Sequence, residues 1–450
     1  MAYIPNTEKD REEMLKVIGV ETFSELLRDI PEKFQLKELL DLDQPLSELE
    51  VNKKLMNIAS QNISLNEINS FLGGGIYDHF IPAAVDTIIS RPEFLTAYTP
   101  YQAEVSQGTL QAIYEYQSLI CELTGMDISN AGMYDGASAV AEAILMASRK
   151  NRLNKVLVSA TLNPLYIDVI HTYTEGVGID IEIIPAKDGL INIEILKSML
   201  DETICCVVLQ TPNYFGCLED CFEVDKIVHA LKKTLFITVV DPISLAIINA
   251  PSEYNSDIVV GEGQALGNKP NFGGPLLGFL AAKMELNRII PGRVVGATED
   301  TAGNTAYSLT LQGREQHIRR DKATSNICSN EALCALAGTV YMCLMGKNGL
   351  KEAAELSMKN AHYLAREIEK IDGYSLAFDA PFFKEFTINT PIDPQEIIER
   401  LKEYSILPGI DLISVNYENK LLIAVTEKKS KIEMDDLITA LREVTNVSNI

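Results

Sequence analysis

The 450-residue chain predicts an α/β protein with a doubly wound large domain, a small C-terminal α+β domain and a helical N-terminal arm. Three observations predict it. Short β-branched runs follow one another after Gly136, helical patterns separate them, and the last third changes to a long helix followed by strands mixed with helices. A hydrophobic content of 46% at this length supplies a large core, so global disorder is excluded. At about 150 residues per domain the chain accommodates two or three.

Up to about residue 70 the pattern is helical and amphipathic. Ser47-Glu48-Leu49-Glu50 and Ser64-Leu65-Asn66-Glu67 each place Glu three residues after a hydroxyl, the pattern of a capping box. From Thr109 to Gly125, apolar residues from Leu110 to Leu123 recur at helical spacing, and Gly125 is a stop signal. Strands are then expected at Val156–Ser159, Ile179–Ile184, Ile204–Leu209, Leu235–Val240 and Ile258–Val260. Helical patterns at Pro164–Tyr173, Ile193–Leu200 and Val224–Lys233 lie between them. Nearly continuous apolar strands alternating with helices imply a parallel sheet covered on both faces. Beyond it, a helical stripe runs from Leu350 to Ile371, followed by strands at Tyr374–Phe378 and Phe382–Ile388. A helix opens at Asp393-Pro394, further strands follow at Leu412–Val415 and Leu421–Val425, and a helix closes the chain at Met434–Val444. The expected boundaries are residues 1–70 for the arm, 71–330 for the large domain and 331–450 for the small one. No repeat or low-complexity tract is visible.

Lys+Arg number 39 and Asp+Glu 63, a formal charge of −24. Nucleic acid and acidic membrane surfaces are poor partners for such a chain. No apolar run approaches the ~20 residues of a membrane span. The first ten residues lack the basic flank and apolar stretch of a secretory signal. The eight cysteines are scattered, several in apolar runs (Cys205-Cys206, Cys328, Cys343), which points to a reduced, cytoplasmic location.

The densest cluster of hydrogen-bonding side chains is the stretch from Tyr98 to Gly108, with Tyr101, Gln102 and Glu104 inside it. It reads either as a pocket that orients a polar ligand or as a helix lead-in whose tyrosines fill a core edge. Tyr134-Asp135-Gly136-Ala137-Ser138 opens a helix. Asp135 as a plain N-cap accounts for much of it, while glycine and serine at a helix start also suit a phosphate or carboxylate. Gly73-Gly74-Gly75 lacks a preceding strand and the dinucleotide spacing, and reads as a turn. The run from Leu309 to Asn326 gathers Arg314, His317, Arg319, Arg320 and Lys322 in an otherwise acidic protein. Such a run suits anion binding or contact with another acidic chain better than plain solvation. Cys217 and Cys221 have no histidine pair nearby and read as structural thiols. The five histidines (His79, His171, His229, His317, His362) are dispersed, so no metal site is expected.

These stretches make the chain resemble the glycine cleavage system P-protein family, in particular the N-terminal half that many bacteria make as a separate subunit. The matching blocks are Phe71–His79, Glu93–Leu110, Leu123–Glu142, Gln210–Asp220, Asp257–Gly278 and Leu309–Asn330. The resemblance implies a pyridoxal-phosphate-dependent transferase fold of type I, like aspartate aminotransferase. In that fold an Asp partners the pyridinium nitrogen and a Lys some two dozen residues later forms the Schiff base. Asp241 stands at the first position. At the second, Gln264-Ala265 replaces the His-Lys of the family's catalytic half, before the shared turn Gly273-Gly274-Pro275, and Ala265 has no amine. Lys269 is the only rival, inside an expected loop.

The resemblance therefore implies a subunit that carries no pyridoxal phosphate and pairs, as two copies of each chain, with a homologous subunit that does. Together they would decarboxylate glycine, release CO2 and pass the aminomethyl group to the lipoyl arm of the H-protein, the cofactor acting as electron sink. On this view His79, Tyr98, Tyr101, Gln102, Glu104, Arg319, Arg320, Lys322 and Asn326 serve the partner's site or the interface, and Ser138, Asp241 and Gln264 are vestiges of a cofactor site. The competing expectations are a self-sufficient amino-acid decarboxylase or lyase using Lys269, and a scaffold that never touches the partner's site.

Overall fold

The computed structural model describes residues 5–446 except 39, 272, 273 and 328, with no side chain at 446. Gly273 and Cys328, both singled out above, lie outside the described residues. The chain divides into Met1–Ile63 and Ser64–Ile450.

In the first unit the helix Glu8–Ile18 starts where the Thr7 hydroxyl accepts the Asp10 N–H and the Asp10 carboxylate accepts the Thr7 N–H. It ends on Gly19 in the left-handed region, φ 86°. The helix Glu48–Ala59 begins with the capping box expected at Ser47 and Glu50. The second expected box does not close: the Ser64 N–H and hydroxyl both donate to Glu67, but the Glu67 N–H goes to the Ser64 carbonyl, making a turn that no helix follows.

The second unit is built on a seven-stranded sheet ordered Ile128–Ser129, Gly278–Ala282, Ile258–Glu262, Leu235–Val240, Ile204–Thr211, Lys155–Ser159, Asp180–Ile184. The last five are parallel, and Gly278–Ala282 runs antiparallel to both its neighbours. The helix Gly136–Asn151 leads into the first parallel strand, and Pro164–Glu175, Ile193–Met199 and Cys221–Val228 connect successive ones. Their apolar faces cover the sheet, and Ile204–Leu209 is buried throughout. The helix expected to begin at Val224 starts at Cys221, because the Asp220 carboxylate accepts the Glu223 N–H. The long helix Gln107–Thr124 stops at Gly125, φ 71°, as its glycine predicts.

The long helix of the last third runs from Ala332 to Ile368 and is broken at Gly346, whose φ of 55° and ψ of −173° no helix contains. After it comes a four-stranded sheet ordered Ser375–Leu376, Glu385–Asn389, Lys420–Ala424, Ile410–Asp411, with helices Pro394–Lys402 and Lys431–Asn446 closing its core. The strand expected at Leu412–Val415 is instead a short helical turn, Ile413–Val415. Asp411 accepts the Ile413 N–H, bending the chain out of the ladder, and Asn416 is left-handed. Residues far upstream join this core: Asn69–Ser70 pair in parallel with Ile406–Leu407, and Phe71 is fully buried in it.

Candidate functional site

The carboxyl ends of the central parallel strands bring Gln210, Asp241 and Glu262 to one edge of the sheet, where ligands sit in doubly wound folds. Lys384, immediately before the strand Glu385–Asn389, reaches across to them. Its ammonium lies 2.6 Å from Asp241 Oδ2, 2.8 Å from His79 Nε2 and 3.6 Å from the centre of the Tyr77 ring, and the residue is 2% exposed. Since the ammonium only donates, His79 Nε2 accepts. His79 Nδ1–H then donates to Glu427 Oε2 at 2.6 Å, fixing the neutral tautomer. Burial, then the Lys384 charge, lower the His79 pKa. Burial works to raise the Glu427 carboxyl, but the His79 and Phe80 N–H bonds outweigh it and keep it ionised. Beside this relay the Tyr77 hydroxyl donates to Glu385 Oε2 at 2.5 Å and the Gly74 N–H to Oε1 at 2.7 Å, while burial pushes the Glu385 carboxyl up to about 7. A β-carbon at Gly73 would sit 2.1 Å from Glu385 Oε1, so the triple glycine is a close-packed turn.

At the other end of this edge the helix Gly136–Asn151 begins. Asp135 caps it, accepting the Ser138 N–H at 2.7 Å, and the Ser138 hydroxyl donates to the Asp135 carbonyl, so Ser138 is taken up by the capping box. The buried N–H of Gly136 donates to Glu262 Oε2 at 2.9 Å, and Glu262 Oε1 accepts from Gln264 N and Leu277 N at 2.9 and 3.0 Å. Burial lifts the Glu262 carboxyl to about 7 in spite of these donors. Gln264 pins Tyr77, accepting its N–H and donating to its carbonyl. The cavity left among Tyr77, Tyr166, Asp241, Glu262 and Lys384 measures about 30 Å³, room for one or two waters.

Ala265 is 3% exposed, its methyl packed in a core with Tyr116 and Leu277. The Lys269 ammonium is exposed and pairs with Asp86 at 2.7 Å, so it occupies the surface and not the sheet edge.

The two polar stretches of the sequence meet each other through a residue that motif reading missed. Arg293, 3% exposed, donates to the Tyr101 hydroxyl at 3.0 Å, lies 4.9 Å from that ring's centre and faces Glu315 at 3.5 Å. Glu315 is in turn 3.5 Å from His317, whose ring meets Tyr101 edge-on. Gln107 ties the same region together by exchanging two hydrogen bonds with the backbone of Tyr307. Tyr98, Gln102 and Glu104 are exposed beside this cluster in sequence, as are Arg319, Arg320, Lys322 and Asn326 beyond it. Arg319 Nε donates to the Gly313 carbonyl. Arg314 is buried, with two guanidinium nitrogens lacking a partner among the described residues. His79 is separate from this exposed group, with both ring nitrogens engaged inside the relay.

Of the remaining side chains, Cys217 and Cys221 are buried, and desolvation pushes the Cys217 thiol up to about 12, so both are structural. His229 bridges Asp225 at 2.6 Å and Asp257 at 2.9 Å, and His362 stacks on Phe382 at 4.0 Å. Among the described residues, no helix is long and apolar enough to cross a membrane.

The family model for the glycine cleavage system P-protein matches residues 1–441. A relative from Chloroherpeton thalassium, named "Probable glycine dehydrogenase (decarboxylating) subunit 1", is 51% identical over 444 residues, covering 99% of this chain and all of the relative. A protein of the same name from Desulfitobacterium hafniense is 49% identical over 446 residues, covering 99% of this chain and all of that one. A crystal structure of glycine decarboxylase (P-protein) of the glycine cleavage system, in inhibitor-bound form, superposes with a TM-score of 0.92 at 40% identity, covering 99% of this chain and all of that one. A glutamate decarboxylase from Lactobacillus brevis, at 12% identity and a TM-score of 0.69 over 95% of this chain and 97% of that one, shares the fold. With its fold, its full-length relatives and the family model in agreement, the chain belongs to the glycine cleavage system P-protein family.

Proposed function

We propose that this chain is the cofactor-free subunit of a two-chain glycine decarboxylase. A homologous second subunit holds pyridoxal phosphate, and the pair, with two copies of each chain, decarboxylates glycine and delivers the aminomethyl group to the lipoyl arm of the H-protein. The observation that carries this reading is the state of the sheet edge beside Asp241. The residues there do not fit pyridoxal phosphate: Ala265 offers no amine, Lys384 takes the Asp241 carboxylate, Glu262 takes the Gly136 N–H, and about 30 Å³ remains where ligand pockets usually measure hundreds. No step is therefore assigned to the cofactor in this chain.

What this subunit contributes is a surface that completes the partner's site. Tyr98, Tyr101, Gln102 and Glu104 supply hydroxyl, amide and carboxylate groups to orient and hydrogen-bond a small polar substrate. Arg293 holds Tyr101 from beneath, through a bond and a stacked guanidinium. Arg319, Arg320, Lys322 and Asn326 form the contact with the partner. The buried Arg314 nitrogens without a partner support a second chain in this region, since an uncompensated buried cation is costly.

Co-expression with and without the second subunit tests the reading. The chain alone is expected to be colourless and inactive in glycine–bicarbonate exchange, and the pair yellow and active. A chain that takes up the cofactor and exchanges bicarbonate alone overturns it.

A further inference from the structure

The filled sheet edge has a charge pattern of its own. A helix of 16 residues opens at Gly136, and backbone N–H groups at such a start that the N-cap leaves free can take an external phosphate or carboxylate. Here the acceptor is internal: the two oxygens of Glu262 accept the N–H groups of Gly136, Gln264 and Leu277, all within 3.0 Å. Lining the same cavity, the carboxylate of Asp241 meets an internal cation, the Lys384 ammonium at 2.6 Å, itself held by His79 and the Tyr77 ring. Asp241 follows a strand of the seven-stranded sheet and Lys384 precedes a strand of the four-stranded one, so this ion pair joins the two sheets, whereas Glu262 ties the helix start to the end of its own strand and to Leu277.

We propose that Glu262 and Lys384 are built-in stand-ins for the anionic and cationic groups of a bound ligand, Glu262 fixing the helix start and Lys384 joining the two sheets without any ligand. The proposal rests on the reading that this chain carries no pyridoxal phosphate. It goes further in giving the emptied chemistry a structural use: a phosphate-like group at the helix start and a protonated nitrogen at Asp241 are both supplied from within.

The test is chemical rescue of the full-length chain, read by thermal unfolding. Glu262→Ala leaves three N–H groups without an acceptor. Its melting temperature should fall by several degrees and recover saturably with inorganic phosphate, by at least ~2 °C beyond sodium chloride of matched ionic strength. Lys384→Ala should be rescued by ethylammonium and not by phosphate. The unsubstituted chain should respond to neither ion beyond the salt effect. If Glu262→Ala is recovered poorly, its refolding yield with and without phosphate gives the same readout. Failure of either rescue overturns the proposal. Pyridoxal phosphate added to the unsubstituted chain separates it from the parent reading: covalent uptake there overturns the cofactor-free subunit, whereas failed rescue without uptake overturns the stand-ins alone.

Discussion

Replacing Lys384 with methionine removes the ammonium and keeps most of the apolar stem. Asp241 is then left with the Ile243 N–H at 2.9 Å, and His79 Nε2 loses its donor. Removing one member of a buried ion pair costs about 3–5 kcal/mol, because the charge left behind is uncompensated. Loss of the cation over the Tyr77 ring adds roughly 1–2 kcal/mol, of which a methionine sulfur against the ring returns a part. The net expectation is a loss of about 4 kcal/mol. Asp241→Asn in the same chain removes the orphaned carboxylate, so the double variant should lie only about 1–2 kcal/mol below the parent, with a coupling energy of roughly 2 kcal/mol or more. The sequence has no tryptophan, so urea unfolding is best followed by tyrosine fluorescence alongside circular dichroism. A Lys384→Met chain within 1 kcal/mol of the parent on the scale of those estimates, or single-variant losses that simply add, would refute the relay as a buried, charged unit.

His229 is held between Asp225 and Asp257. The Asp257 bond is the larger reason its folded pKa is raised, and burial opposes it. With the folded value above the unfolded one of about 6.5, its stabilisation is complete below that pH and fades as pH rises through the folded pKa. The stability gap between the parent and His229→Gln should therefore be largest near pH ~6 and narrower near pH ~9; a gap that stays constant contradicts the clamp. Gly216 has φ 89°, and a β-carbon there would meet the Glu385 carbonyl oxygen at 2.1 Å, so Gly216→Ala should cost about 3 kcal/mol or more, visible as a lowered melting temperature. Tyr98 is 83% exposed, so Tyr98→Phe should leave the isolated chain's stability within about 0.5 kcal/mol. In the reconstituted complex the same change should slow glycine–bicarbonate exchange by roughly tenfold or more. Unchanged exchange would remove Tyr98 from the partner's site.

The parallel core was legible because strands buried on both faces must be apolar along their whole length, as Leu235–Val240 and Ile204–Leu209 are. Gly125 and the Ser47 box were legible for local reasons, one a left-handed stop and the other a hydroxyl with its Glu. The antiparallel strand Gly278–Ala282 was not. Glycine and two alanines give it little β-branched signal, and its place depends on pairing with Ile258–Glu262. The site divides the same way. Asp241 and Ala265 stand out by resemblance at fixed offsets along one segment. The residues that fill the space around them do so over long separations: Lys384 meets His79 across 305 positions, and Glu427 meets it across 348. Glu262 carries no motif at all, its meaning arising only when three N–H groups converge on it. Arg293 was missed for the same reason, being an isolated basic residue until the fold lays it under Tyr101.

The most direct measurement is borohydride reduction of the reconstituted two-chain complex, followed by peptide mapping of the reduced cofactor adduct. The account predicts the adduct on a lysine of the second subunit and none on this chain. An adduct at Lys269 or Lys384 would contradict it.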